Sequence, residues 1–187
     1  MKFRSPACLI LLFLSCCIPN AALFAQSERK ISAASAAEKW TPFRNIEFWE
    51  YCLSLPLNGY TQNYKKSDVK AKHVFTHRTK KNTDITVWGL DNAQSKASPE
   101  AYFKRYYANA EETGLIIEDR KLDAKARRFY GWGYWSNAFY ETRFLEIVWL
   151  RDSEVIKFHA AFPVADADLW KSRLPELLKQ TTVCKPE

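Results

Sequence analysis

Residues 142–162 constrain this chain more than any other stretch. Two strand-length runs, 142–150 and 154–162, flank Asp152 and Ser153, which suit a tight turn, so the segment reads as a β-hairpin. In the second run Ile156, Phe158, Ala160 and Phe162 fall on one face, and Lys157 and His159 fall on the other. His159 is therefore expected to point outward. A hairpin with one continuous apolar face needs a sheet around it and something laid over it.

The rest of the chain supplies both. Residues 48–55 alternate, with Trp49, Tyr51, Leu53 and Leu55 sharing a face until Pro56 and Asn58-Gly59 end the run. Residues 72–78 and 84–90 are two further extended runs joined by Lys80-Lys81-Asn82-Thr83. A helix is expected to open at Ser98-Pro99-Glu100, where Ser98 caps, Pro99 takes the first helical position and Glu100 meets the positive end of the dipole. Phe103, Tyr106, Tyr107 and Ala110 give it an apolar stripe, and Gly114 stops it. A short strand over 115–119 and a strand-like run from Arg127 follow. After Pro163, Asp166 can cap a last helix bearing Leu169, Trp170, Leu174, Leu177 and Leu178, with a kink or break expected at Pro175. Helices segregated from mainly antiparallel strands make an α+β domain.

The first 25 residues read as a secretory signal. Lys2 and Arg4 precede a short apolar run, 7–14, and Ala21-Ala22-Leu23-Phe24-Ala25 offers small residues for cleavage before Gln26. The uninterrupted run is well short of the roughly 20 residues of a membrane span. An uncleaved anchor is one alternative; another is lipidation, since Leu14-Ser15-Cys16-Cys17 resembles a lipobox with Cys17 as acceptor. Residues 26–39 are small and polar and read as a linker, leaving 40–187 as one folded domain in a secreted or periplasmic protein. Outside the leader only Cys52 and Cys184 remain, and an even pair in an exported chain reads as one disulfide, with two buried thiols as the alternative.

The order of elements resembles the PsbP/Mog1-like family, which unites the PsbP photosystem proteins, the Mog1 Ran-binding proteins and many exported bacterial lipoproteins. Four features carry the resemblance: Leu53-Ser54-Leu55-Pro56, Ile85-Thr86-Val87-Trp88-Gly89, the opening Ser98-Pro99-Glu100, and the ending 155–163 followed by a Trp/Leu-bearing helix. It spans about residues 45–182. The resemblance implies an antiparallel sheet sandwiched by helices, and a binding or assembly-accessory role in place of catalysis. No partner-binding residue of the plant or nuclear members maps onto this chain, so the likeness informs fold far more than function.

Motifs for chemistry are missing. No nucleophile elbow, zinc-protease helix, phosphate loop or dinucleotide fingerprint occurs, so no catalytic residue, cofactor or metal is expected. His73 and His77 stand four apart on an extended run, roughly 13 Å from each other, and read as surface histidines unable to share an ion. Glu111-Glu112 reads as a solvated helix face. The net charge of +7, about +5 without the leader, favours an anionic surface or an unknown envelope protein as partner, and nucleic acid is not expected. Lys65, Lys66, Lys70, Lys72, Arg78, Lys80 and Lys81 concentrate that charge, either as a docking patch or as a solvated hairpin edge. Tyr130, Trp132 and Tyr134 align on one face of a strand while Gly131 and Gly133 bare the other. Those aromatics either fill core or form a partner surface, and Lys80 and Lys81 are the companion candidates. The reading is an exported, non-enzymatic binding or assembly-accessory protein; the alternative is a secreted hydrolase acting on an envelope polymer.

Overall fold

A computed structural model describes residues 38–46, 49–67, 72–91, 98–135 and 142–184. The expected leader, most of the linker, the Cys17 site, Phe48 and Lys70 lie outside these residues. Nine strands are described: β1 (Thr41–Asn45), β2 (Tyr51–Leu55), β3 (Tyr60–Gln62), β4 (Lys72–His77), β5 (Asp84–Asp91), β6 (Leu115–Asp123), β7 (Arg128–Trp135), β8 (Thr142–Leu150) and β9 (Glu154–Pro163). Strands β3-β4-β5-β9-β8-β7-β6 form one sheet in that order, antiparallel throughout, and β1-β2 form a separate ribbon. Helices α1 (Pro99–Glu112) and α2 (Ala167–Lys179) complete the α+β fold.

The hairpin read from residues 142–162 is β8-β9, in register from Leu150 opposite Val155 to Thr142 opposite Pro163. It occupies the middle of the sheet, so both of its faces must be covered. On the first face Leu145, Ile147, Ile156, Phe158 and Phe162 meet Tyr51, Leu53 and Leu55 of the ribbon and Trp170 and Leu177 of α2. On the second, Val148, Leu150 and Val155 join Phe129 beneath Tyr107 and Phe103 of α1. Each large side chain so enclosed stabilises the fold by about 1.5–3 kcal/mol relative to exposure.

Local chemistry sets most boundaries. Ser98 Oγ accepts the Ala101 N–H at 3.2 Å and starts α1, while Gly114 at φ +82° ends it. Asp166 sits at the start of α2 but makes no side-chain cap; its carboxylate instead holds the Lys80 ammonium at 2.7 Å. Of the kink or break expected at Pro175, the break is not seen: α2 runs through it as one helix. Proline removes one helical N–H, yet Trp170 and Leu177 are buried on either side of it, and that packing keeps α2 one element. Strand β6 continues to Asp123, past the expected end at 119, with a bulge between Ile117 and Asp119. Directly across, an added Cβ on Gly133 would collide with the Ile116 carbonyl oxygen, so the bulge requires glycine there.

Cys52 and Cys184 are bonded, with Cα atoms 4.9 Å apart. The bond fastens a tail that runs beside β2. Cys52 N–H donates to the Thr182 carbonyl at 3.0 Å, and the Gln180 amide closes both backbone groups of Ser54, at 2.7 and 2.8 Å. Gln180 thereby takes the place of a strand neighbour. Trp149 Nε1–H reaches back to the Gln180 carbonyl at 3.0 Å.

Candidate functional site

The second sheet face carries charge where a core would be apolar. Glu146 of β8 stands opposite His159 of β9, Lys157 stands opposite both Val148 of β8 and Trp88 of β5, and Thr86 stands opposite His159. Opposed residues on one face bring their Cβ atoms to about 5 Å, close enough for direct side-chain bonds. Helix α1 adds Tyr106 from above.

Glu146 is 6% exposed and fully engaged. Tyr106 Oη–H donates to Oε1 at 2.6 Å, and the Lys157 ammonium lies 2.6 Å from Oε2. His159 Nδ1 is 3.3 Å from the same oxygen. An ionised carboxylate only accepts, so Nδ1 carries the hydrogen and Nε2 is turned away from the carboxylate. Burial alone would raise the Glu146 carboxyl, but the His159 hydrogen bond and the Lys157 charge outweigh it and hold it at about 2. Burial, reinforced by the Glu146 charge, pushes the Tyr106 hydroxyl far up. The acid is thus a fixed anion at neutral pH and Tyr106 a fixed donor.

Aromatic rings frame the cluster. The Lys157 ammonium sits 4.8 Å from the Trp88 ring centre and 4.7 Å from that of Tyr106, a cation held between two π faces. His159 stacks on Phe144 at 5.8 Å and 12°, with Trp135 5.6 Å away. The side chains of Lys157 and His159 keep 15% and 19% exposure, so solvent reaches the cluster through these two groups. A buried ion network of this kind is at best neutral for stability against an apolar replacement. Its chemistry suits recognition of a charged or hydrogen-bonding group beside flat rings.

The outward position expected for His159 holds only in part. It does leave the first core, but its own face is covered, and it ends half-buried against Glu146. His73 is likewise half-buried and not a surface group, because the ribbon lies over it: Nε2 is 2.8 Å from Asn45 Oδ1, and Phe43 packs on its edge. His77 Nδ1 accepts the Lys80 N–H at 3.1 Å and organises the β4–β5 loop; burial, then Lys80, lowers its pKa. Trp132 is 6% exposed and packs against Phe162, so of its two open readings it takes the core position. Tyr130 donates to Asp119 at 2.9 Å and Tyr134 lies under the Arg143 guanidinium. All three occupy the opposite sheet face from Glu146. Lys81 is exposed, and Lys80 is held by Asp166. Among the described residues no group of three His, Cys, Asp or Glu side chains is placed to hold a metal ion.

Sequence reasoning does not single out Glu146, Lys157, Tyr106 or Trp88 as site residues. One signal is present: Glu146 is the lone charge in Phe144-Leu145-Glu146-Ile147-Val148-Trp149-Leu150. An open groove of about 430 Å³ lies between the ribbon and the tail, but its one cation, Arg44, is tied to Glu50 at 2.7 Å.

No protein-family model matches the chain, and no curated protein matches it. The chain is similar to the crystal structure of PA94, a protein of unknown function from Pseudomonas aeruginosa, at 17% identity and a TM-score of 0.49, over 79% of this chain and 99% of that one. It is also similar to the solution structure of cyanobacterial PsbP (CyanoP) from Synechocystis, at 12% identity and a TM-score of 0.49, over 76% of this chain and 91% of that one. These are likenesses of fold. Among the described residues no helix is long and apolar enough to cross a membrane.

Proposed function

We propose that this chain is an exported, non-enzymatic binding or assembly-accessory protein that engages its partner through the Glu146 face of the sheet. The observation that carries the reading is the state of Glu146, ionised and bonded by three partners. A carboxyl held at about 2 has no proton to give at neutral pH and is a poor base. What remains is a charged platform between Trp88 and Trp135, and aromatic residues beside fixed charges are the usual anchors of contact surfaces. The Cys52–Cys184 bond supports export, since such bonds persist in oxidising compartments.

A second reading has one observation in its favour. Thr86, His159 and Glu146 stand in a row across three neighbouring strands, the order of a hydroxyl, an imidazole and an orienting acid. That row would serve a secreted hydrolase acting on an envelope polymer. The Lys157 ammonium on the same carboxylate oxygen weakens it. The test incubates wild-type protein, Glu146→Gln and Thr86→Val with native envelope material. The binding reading expects retention by the envelope, lost on Trp88→Ala, and no soluble fragments. Fragment release abolished by both Thr86→Val and Glu146→Gln would replace it with the hydrolase reading.

A further inference from the structure

One end of the sheet gathers cations around an exposed aromatic ring. The turn after β3 carries Tyr64, Lys65 and Lys66, and Lys66 reaches Asp84 at the start of β5, 3.1 Å away. The β4–β5 loop carries Arg78, Lys80 and Lys81; Asp84 directly follows this loop, so the Lys66 ion pair is what brings the turn to it, while Arg78 N–H bonds the carbonyl of Gly59, just before β3, at 2.9 Å. The described chain also begins here. Glu38 is ion-paired to Arg173, whose charge acts on Tyr60, and Tyr60 stands opposite His77 next to the loop.

Of the acids at this end, Glu38 is engaged by Arg173, Asp84 by Lys66 and Asp166 by Lys80, while Asp168, exposed in the first turn of α2, has no ion pair among the described residues. Lys39, Lys65, Arg78 and Lys81 are exposed and have no ion pair among the described residues, which leaves a surplus of positive charge. Tyr64 is 77% exposed beside Lys65. An apolar ring with a polar tip, set among long flexible cations, matches the headgroup layer of a bilayer, where tyrosine concentrates.

We propose that this end docks on an anionic lipid bilayer, with Tyr64 at headgroup depth and Lys65, Arg78 and Lys81 against the headgroups. A lipid surface fits better than an acidic protein because the free cations have no preset geometry, and a diffuse anionic layer demands none. This surface is separate from the Glu146 face, so either assignment can fail alone. Each cation near such a surface strengthens binding about fivefold, and salt screens the effect within about 8 Å.

The processed protein, purified after export, is sedimented with vesicles of equal parts phosphatidylglycerol and phosphatidylcholine, and with phosphatidylcholine alone. The expected result is binding to the first only, lost at high salt. Lys65→Glu with Lys81→Glu should weaken it at least about tenfold. The matched pair Lys104→Glu and Lys125→Glu, exposed elsewhere with the same charge change, should weaken it less than about threefold. Tyr64→Ser should cost about threefold at unchanged net charge. Absence of binding at low salt, equal loss in the two charge pairs, or no effect of Tyr64→Ser overturns the proposal. Melting curves confirm that each exposed-site variant is folded before its binding is read.

Discussion

Replacing Glu146 by Gln keeps the side-chain shape but removes the charge that Lys157 and His159 face. The carboxyl is held at about 2 against an ordinary 4.5, so its ionisation stabilises the folded state by about 3 kcal/mol. The sign follows from the direction: a carboxyl lowered by folding contributes fully above pH 5 and loses its contribution as pH falls from about 4.5 toward 2. At pH 7 Glu146→Gln also leaves the Lys157 ammonium, 15% exposed, with only the two rings for partners. Breaking a buried pair from one side costs about 3–5 kcal/mol. The remaining exposure of Lys157 places the loss near the lower figure, a melting temperature roughly 6–12 °C below wild type for a domain of this size. Replacing both charges, Glu146→Leu with Lys157→Met, should recover most of it. The assay is thermal unfolding of the three proteins from pH 7 to pH 3. The gap between wild type and Glu146→Gln should narrow below about pH 4.5, where the carboxyl of the unfolded wild-type chain takes up a proton that the folded one does not. A gap under about 2 °C at pH 7, or one that stays constant to pH 3, would refute the account of Glu146 as a buried anion stabilised by Lys157 and its hydrogen bonds.

Three further outcomes follow from the packing. Trp132→Ala should cost about 3–5 kcal/mol in a urea melt, since the ring is enclosed between the sheet and α2; an unchanged midpoint would make it a surface residue instead. Breaking the disulfide by Cys52→Ser with Cys184→Ser should cost up to roughly 5 kcal/mol, given a separation of 132 residues, and should remove all effect of reductant on the melt. Gly133→Ala should cost about 2 kcal/mol or more, because backbone must move to clear the Ile116 carbonyl; hydrogen exchange should rise first along β6, and a neutral outcome would mean the bulge is not rigid.

Period-two alternation makes β9 readable from the residues alone, because a two-sided strand announces its faces position by position, and the Asp152-Ser153 turn then brings in the apolar run of β8. Ser98-Pro99-Glu100 and Gly114 do the same for α1, since caps act through neighbouring atoms. The two cysteines outside the leader name the disulfide by parity. Strand β1 is not readable: Pro42 argues against a strand and is tolerated only because β1 is an edge. Strand β3 is three residues long, too short to show a period. The Glu146 cluster belongs to a third kind. Its members come from β5, α1, β8 and β9, and Glu146 lies 40 residues from Tyr106 and 13 from His159. Sequence shows that Lys157 and His159 leave the first core; whether the face they join is open to water or covered depends on where α1 lands. That is a property of the packed layers, and it turns an outward-looking histidine into the half-buried partner of Glu146.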